Sequence, residues 1–255
     1  MIDQALMQSI PDRKFRFACH KDLPCFTKCC ANLNLVLTPY DVLRLKNRLN
    51  LSSDTFLETY TTSYIDQAYG APVVRLKMNG DETRRCPFVS RKGCAVYEDR
   101  PGACRLYPLG RAASKKSEEC ATGEHYFVVK ESHCLGFNEK QEWTVQEWIN
   151  NQGVDEDNEI NDLFMNITAG RQAKTIKALS DQKIQMFYMA CYNLDEFRTF
   201  IFETTFLHKF NIAKDVLTHI KTDDMKLMAF AVKWLKFCLF GEKTLQIRQH
   251  LRDDE

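Results

Sequence analysis

Net charge is almost absent from this chain: 35 Lys and Arg stand against 34 Asp and Glu, which leaves +1. So balanced a composition exerts no global pull toward nucleic acid or an anionic membrane. Long apolar runs are missing too. The most apolar stretch, MKLMAFAVKWLKFCLF at 225–240, is interrupted by Lys226, Lys233 and Lys236, short of the roughly 18 uninterrupted apolar residues that mark a membrane span. It reads as a buried helix. The opening MIDQALMQSIPDRKFRF has no basic start followed by an apolar core, so it does not read as a secretory signal. These absences give the expectation of a cytoplasmic protein without a membrane partner. The ten glycines are scattered singly and form no Gly-x-Gly-x-x-Gly turn. A Gly-x-Ser-x-Gly elbow, a His-Glu-x-x-His helix, internal repeats and low-complexity segments are absent as well.

Cysteine is what the chain does have. There are eleven, and nine fall between residues 19 and 134. One cluster is Cys19-x5-Cys25-x3-Cys29-Cys30. A second is Cys86-x7-Cys94-x9-Cys104, and Cys134 follows in SHCLGF. In a reducing compartment such crowding favours metal ligation or redox chemistry over a disulfide framework. The length of 255 residues and the apolar fraction of 44% suffice for an ordinary core, so cross-links are not needed to build one.

Thiolates are soft ligands for zinc, copper(I) and iron–sulfur clusters. Four complete a tetrahedral zinc site or a four-iron cluster, so eight suffice for two sites or one larger cluster. The adjacent pair Cys29-Cys30 allows two geometries. In an extended backbone the two side chains point to opposite faces and serve two neighbouring sites; in a bent loop both can reach one ion. Four thiolates around a divalent ion carry a net charge of about −2. Lys14, Arg16, Lys21, Lys28, Arg84, Arg85, Arg91, Lys92, Arg100 and Arg105 flank the clusters and would offset it. The spacings are not the Cys-x2-Cys pairs of zinc ribbons, so the metal is not legible from them. Cys191 and Cys238 lie in apolar helical patterns and read as core residues. Cys120, in KKSEECATGEH, reads either as a surface thiol or as a peripheral ligand.

The fold class expected is α+β. A small cysteine-rich metal-binding module with short strands spans 1–142, and an all-helical C-terminal region spans 143–255. TPYDVLRLKNRL predicts a helix capped by Thr38 with Pro39 in its first turn. SDTFLETYT predicts a second. PVVRLKMNG and HYFVV read as strands, and CPFV and GCAVY as short strand or loop pieces. Thr144 and Glu147 form a capping-box signature, and Asn193 with Glu196 a similar one ahead of LDEFRTFIFETTFLHKF. SDQKIQMFYMACY and 224–240 carry helical periodicity, with a stop at Gly241.

The segment RCPFVSRKGCAVYEDRPGACRLYPLG resembles the signature of the YkgJ-like cysteine-cluster family, a zinc- or iron-chelating domain. The matching residues are Cys86, Phe88, Gly93, Cys94, Tyr97, Arg100, Pro101, Cys104, Arg105, Tyr107 and Pro108. Cys29-Cys30 resembles the family's double cysteine, and Cys134 its last one. The first cluster departs from the tighter family spacing, with Lys28 where a glycine is common. The resemblance implies metal or iron–sulfur binding through Cys19, Cys25, Cys29, Cys30, Cys86, Cys94, Cys104 and Cys134. A four-iron–four-sulfur cluster stands ahead of zinc or iron ions. A relative, the flagellin lysine N-methylase, implies a second class: a protein-modifying or redox enzyme dependent on the cluster. In that reading no catalytic residue is identified.

Other residues carry less. His20 and His133 adjoin clustered cysteines and read as polar neighbours, because thiolates suffice as ligands. Arg100, Arg105 and Tyr107 could bind an anion, but the simpler reading has the arginines neutralise thiolate charge while DRPGACR turns into a short helix. RRCPFVSRK is basic without the interleaved aromatics of a strand-binding platform, so nucleic acid is not expected as a partner. The Phe-rich pattern at 196–210 reads as helix core. A protein partner would meet the C-terminal helices.

Overall fold

The computed structural model describes residues 6–67, 70–113, 124–168 and 179–248. The fold is α+β: short strands form small sheets, mostly in the first half, and helices dominate the second. Two compact units emerge, one of Met1–Leu35 with Leu76–Asn158 and one of Val36–Arg75 with Glu159–Glu255. This division differs from a single boundary at residue 142. Residues 36–75 go with the C-terminal helices, and residues 143–158 with the cysteine-rich segment. Each exchanged piece carries an apolar face, and it follows the partner that buries it.

In the first unit Lys14–Arg16 pairs antiparallel with Glu142–Thr144, with Phe15 opposite Trp143. Strand alternation turns Phe15 inward between exposed Lys14 and Arg16. A three-stranded sheet sets Glu124–Val129 between Leu109–Ala113 and Met7–Gln8, all antiparallel. The core combines Phe15, Phe17, Leu106, Leu109, Val128, Val145, Trp148, Ile149 and Val154. Phe17 meets Trp148, Phe137 and Tyr107 edge-on at 5.5, 5.3 and 5.8 Å, the favoured geometry for aromatic quadrupoles. Both indole N–H groups are satisfied: Trp148 donates to the Leu106 carbonyl and Trp143 to that of Phe17, each at 2.9 Å. Helix Val145–Gln152 starts at the expected Thr144–Glu147 capping box. It stops at Gly153, whose φ of +61° suits glycine.

The second unit opens with Val36–Leu37 at one edge of a three-stranded sheet that continues through Pro72–Leu76 to Thr61–Ile65. Helix Pro39–Arg48 is capped as predicted: Thr38 accepts from the Asp41 amide at 3.1 Å, and Asp41 accepts from the Thr38 amide at 2.8 Å. Helix Ser53–Tyr60 follows, capped by Ser52. Further on lie Asp181–Tyr192, Leu194–Glu203, Phe206–Lys209, Lys214–Thr222 and Asp224–Phe240. The Phe-rich stretch is thus two helices rather than one. Thr204 breaks it: its hydroxyl donates to the Phe200 carbonyl at 2.7 Å and accepts from the Phe206 amide at 3.2 Å, a local alternative to the helical ladder. Trp234 packs among Phe197, Phe200 and Phe206, so these phenylalanines are core, as expected. One polar junction gathers here around buried Lys46. Lys46 ion-pairs with Asp195 at 3.2 Å and Asp224 at 3.7 Å, while Asp195 also accepts from the Ser53 amide at 2.7 Å. Cys191 is buried, as a core thiol should be. Cys238 is half-buried, and burial pushes its thiol up to about 11.

Candidate metal centre

All eight candidate ligands belong to the first unit. The chain reaches them from the core. Past Phe17, the Ala18 amide donates to the Gly136 carbonyl at 3.1 Å, which sets the start of the first cluster against the loop that carries Cys134. This approach needs glycine: a Cβ at Gly136 would lie 2.6 Å from the Ala18 carbonyl oxygen. Residues 20–30 then coil through successive tight turns, Leu23 to His20, Phe26 to Leu23, Lys28 to Cys25 and Cys30 to Thr27. The adjacent pair ends the 3-10 turn Lys28–Cys30, entered through Thr27 in the left-handed region. The loop at the pair is therefore bent, and the two sulfurs stand 4.0 Å apart. Beyond it the chain straightens. Ala31 bridges Arg85 antiparallel, and the Cys86 amide donates to the Cys30 carbonyl at 2.8 Å.

In the second cluster Val89–Ser90 and Gly93–Cys94 form a small hairpin with Val89 opposite Cys94. Gly93 turns it at φ +115°, and a Cβ there would lie 3.4 Å from the Phe26 ring of the first cluster. Cys104 sits in the short helix Gly102–Leu106, which DRPGACR enters as expected. Cys25 is buried, Cys19 is exposed, and Cys29, Cys30, Cys86, Cys94, Cys104 and Cys134 are partly buried; all are free thiols. Cys120 lies outside the described residues.

The sulfurs are supplied with donors. The Leu135 amide donates to the Cys25 sulfur at 3.3 Å. The backbone amides of Phe88 and Val89 face the Cys86 sulfur, that of Val96 faces Cys94, and that of Gly136 faces Cys134. Amide donors favour a thiolate over a thiol. Burial works the other way and dominates: it pushes Cys19 up to about 11, with the neighbouring Cys29, Cys134 and Cys25 adding to the shift, and it raises Cys86, Cys94 and Cys134 as well. Cys29 is raised by its contact with Cys30, then by burial and by Glu131. Sulfurs so placed are held neutral until a cation offsets the charge, and a coordinating metal does so directly.

Among the described residues no three His, Cys, Asp or Glu side chains converge as a ready-made ion site. The residues nevertheless fit a thiophilic metal in donor chemistry, and one buried atom supports that fit. The Tyr107 hydroxyl is buried with no aligned hydrogen-bond partner. It faces Cys134, with Glu131 and Cys29 near, and the phenol is held well above its usual range first by burial and then by that thiol. A Cys134 thiolate would take this proton donor as an outer support, the usual role of a group behind a metal ligand.

The cations divide. Arg85 acts on Cys86 and Arg100 on Cys94, as charge neutralisation requires. Arg100 also lies over the Tyr97 ring at 3.9 Å and donates to Gln152 at 2.6 Å. Arg105 serves the scaffold: it is buried, pairs with Asp157 at 3.6 Å and donates to the carbonyls of Gln152 and Glu98. Lys14 and Arg16 pair with Glu142. His20 sits between Asp22 and Glu139, 3.7 Å from each, and His133 lies 3.5 Å from Glu131. Both imidazoles thus have carboxylate neighbours, in keeping with polar rather than ligating roles. Glu131 and the orientation of Tyr107 were not legible in the sequence, because only the turn from Glu131 to Cys134 brings them to the sulfurs.

The cysteine-rich segment is carried on small sheets and short turns. Residues 18–135 match the CxxCxxCC family, described as a "putative zinc- or iron-chelating domain". No curated protein and no solved structure matches the chain.

Proposed function

We propose that the protein holds iron or zinc through the thiolates of Cys19, Cys25, Cys29, Cys30, Cys86, Cys94, Cys104 and Cys134, with a four-iron–four-sulfur cluster ahead of single ions. The observation that carries this reading is the set of backbone amides aimed at sulfur, above all Leu135 to Cys25 at 3.3 Å. Thiols that were merely small apolar fillers would have no use for such donors. Bound metal would supply the positive charge that converts these half-buried thiols to thiolates. The protein supplies the sulfurs, their amide and phenol donors, and a loop held to the core by the Ala18–Gly136 bond.

The test is metal and sulfide analysis with an absorption spectrum on protein purified without oxygen. Iron and sulfide with a broad band near about 400 nm, where thiolate-bound clusters absorb, would support the cluster. Zinc with a featureless visible spectrum would favour a structural clasp. A chain free of stoichiometric metal would overturn the proposal.

A further inference from the structure

We infer that a basic cleft on the first unit binds a small phosphate monoester. None of the eight candidate cysteines lines it, so the inference stands whether or not those residues hold a metal.

The cleft lies where four stretches of chain meet. Strand Met7–Gln8 runs antiparallel to Glu124–Val129, with Gln8 opposite Val128. The Lys130 amide continues this pairing by donating to the Leu6 carbonyl at 2.9 Å, which sets residues 8–11 beside 128–130. Strand Lys14–Arg16 and Phe137 complete the walls, and the space between them is about 230 Å³. Ile10, Val128 and Phe137 give it apolar surface, and all three are anchored in the aromatic core of this unit. Gln8 and Ser9 add uncharged donors.

Charge selects the ligand. Lys14, Arg16 and Lys130 all line the cleft, and among the described residues no Asp or Glu does. Strand side chains alternate, so Lys14 and Arg16 share the face opposite buried Phe15. They also share one carboxylate, Glu142, at 3.8 and 4.0 Å, and all three of these side chains are more than half exposed. Ion pairs of that kind contribute little and leave the cations open to a better partner. Lys130 has a ring rather than a carboxylate beside it, with Nζ 5.7 Å from the centre of Phe137. Three cations against Glu142 leave a local charge of +2. A phosphate monoester carries about −1.5 to −2 at neutral pH and so matches this balance, where a single carboxylate would fall short. Arg16 offers a planar fork for two phosphate oxygens, and the lysines act as point charges. Basic side chains on an open strand are usually a solvated face. Here they converge from separate stretches of chain on a concave apolar surface, the usual form of a small-molecule site. The volume lies below the roughly 300–1,000 Å³ of pockets for drug-sized ligands, which keeps the organic part small.

The experiment is calorimetric titration of the full-length protein at low salt with phenyl phosphate, benzoate and inorganic phosphate. It is repeated on Lys130→Gln, Lys14→Gln/Lys130→Gln and Lys140→Gln. Lys140 is exposed and does not line the cleft, so it reports on non-specific attraction. Phenyl phosphate should saturate at one equivalent per chain, and benzoate should bind about 10-fold more weakly or less. Each lost cation should weaken phenyl phosphate by about 10-fold, the range for a charge-assisted contact, and Lys140→Gln should change nothing. Absence of saturable binding to the parent would overturn the proposal, as would equal losses in Lys130→Gln and Lys140→Gln. Benzoate binding as tightly as phenyl phosphate would overturn the charge match, and inorganic phosphate doing so would overturn the monoester. A phosphoserine peptide that bound more tightly than phenyl phosphate would move the source from a small molecule to a protein and overturn the small-ligand reading.

Discussion

The two compact units are held by different means. The unit of Val36–Arg75 and Glu159–Glu255 is built on helices up to 17 residues long, with Leu45, Phe56, Phe197, Trp234 and Leu235 almost wholly removed from water. Burial of that kind carries a fold by itself. The unit of Met1–Leu35 and Leu76–Asn158 has strands of two to six residues and one aromatic cluster on the side of Trp148. Its cysteine loops are shaped by single tight turns, and nothing so short is stable alone. The difference teaches that one part of this chain stores its stability in apolar contacts, while the other rests on short strands, tight turns and one aromatic cluster.

Metal removal should break this comparison open most widely. Structural zinc contributes apparent free energies of about 10–16 kcal/mol to small thiolate modules. Chelation under anaerobic conditions should therefore raise hydrogen exchange sharply in peptides from 17–35 and 84–137 and leave 181–240 protected. Loss of protection in both regions together would mean that the units unfold as one. The reciprocal experiment is Trp234→Ala. Truncating so large a buried side chain costs about 3–5 kcal/mol; the midpoint of denaturation for the helical unit should fall while metal per chain stays constant.

Tyr107→Phe sharpens the comparison on the other side. It removes the phenol that faces Cys134 and keeps the ring against Phe17. Outer supports of metal ligands are typically worth about 10–100-fold in affinity, so a competition titration should show a loss in that range with little change in the thermal stability of the metal-free protein.

The smallest effect concerns acid. Burial opposes ionisation of Asp195, but the Ser53 amide and Lys46 outweigh it and hold the carboxyl below its usual range; Asp224 is lowered likewise, against burial, by Arg198 and Lys46. A depressed carboxylate contributes stability that is present above the unfolded value of about 3.9 and lost as pH falls through the folded one. The helical unit should weaken below about pH 4 on that account. Asp195→Asn should flatten this dependence and cost about 1 kcal/mol at neutral pH, a modest figure because the carboxylate is partly exposed. Denaturant melts at pH 7 and pH 3 would show whether the slope persists in the variant.

How much of this was legible depended on the range of the interaction. Thr38, Thr144 and Asn193 announced their helices because capping acts within three residues, and all three are caps. The α+β class and the core role of Cys191 followed from periodicity. What the sequence could not carry was pairing over distance. Residues 36–75 look like a continuation of the cysteine-rich part, yet helix Pro39–Arg48 meets its ion-pair partners at Asp195 and Asp224. The break at Thr204 was hidden because its hydroxyl competes with an otherwise regular helical pattern. For the sulfurs, spacing named the candidates, but Tyr107, Glu131 and the backbone bond from Cys86 to Cys30 emerge only once the chain is folded.

The bond from the Leu135 amide to the Cys25 sulfur joins positions 110 apart, and that separation is also a delay. At about 5–20 residues per second, roughly 5–20 s pass during synthesis between the appearance of Cys25 and that of the loop that donates to it. For that interval the first thiols emerge without the partners that surround them in the finished fold. If these thiols take a metal, loading at this end of the chain waits for that loop. Until it occurs, the early cysteines depend on the redox state of their surroundings rather than on the protein for protection.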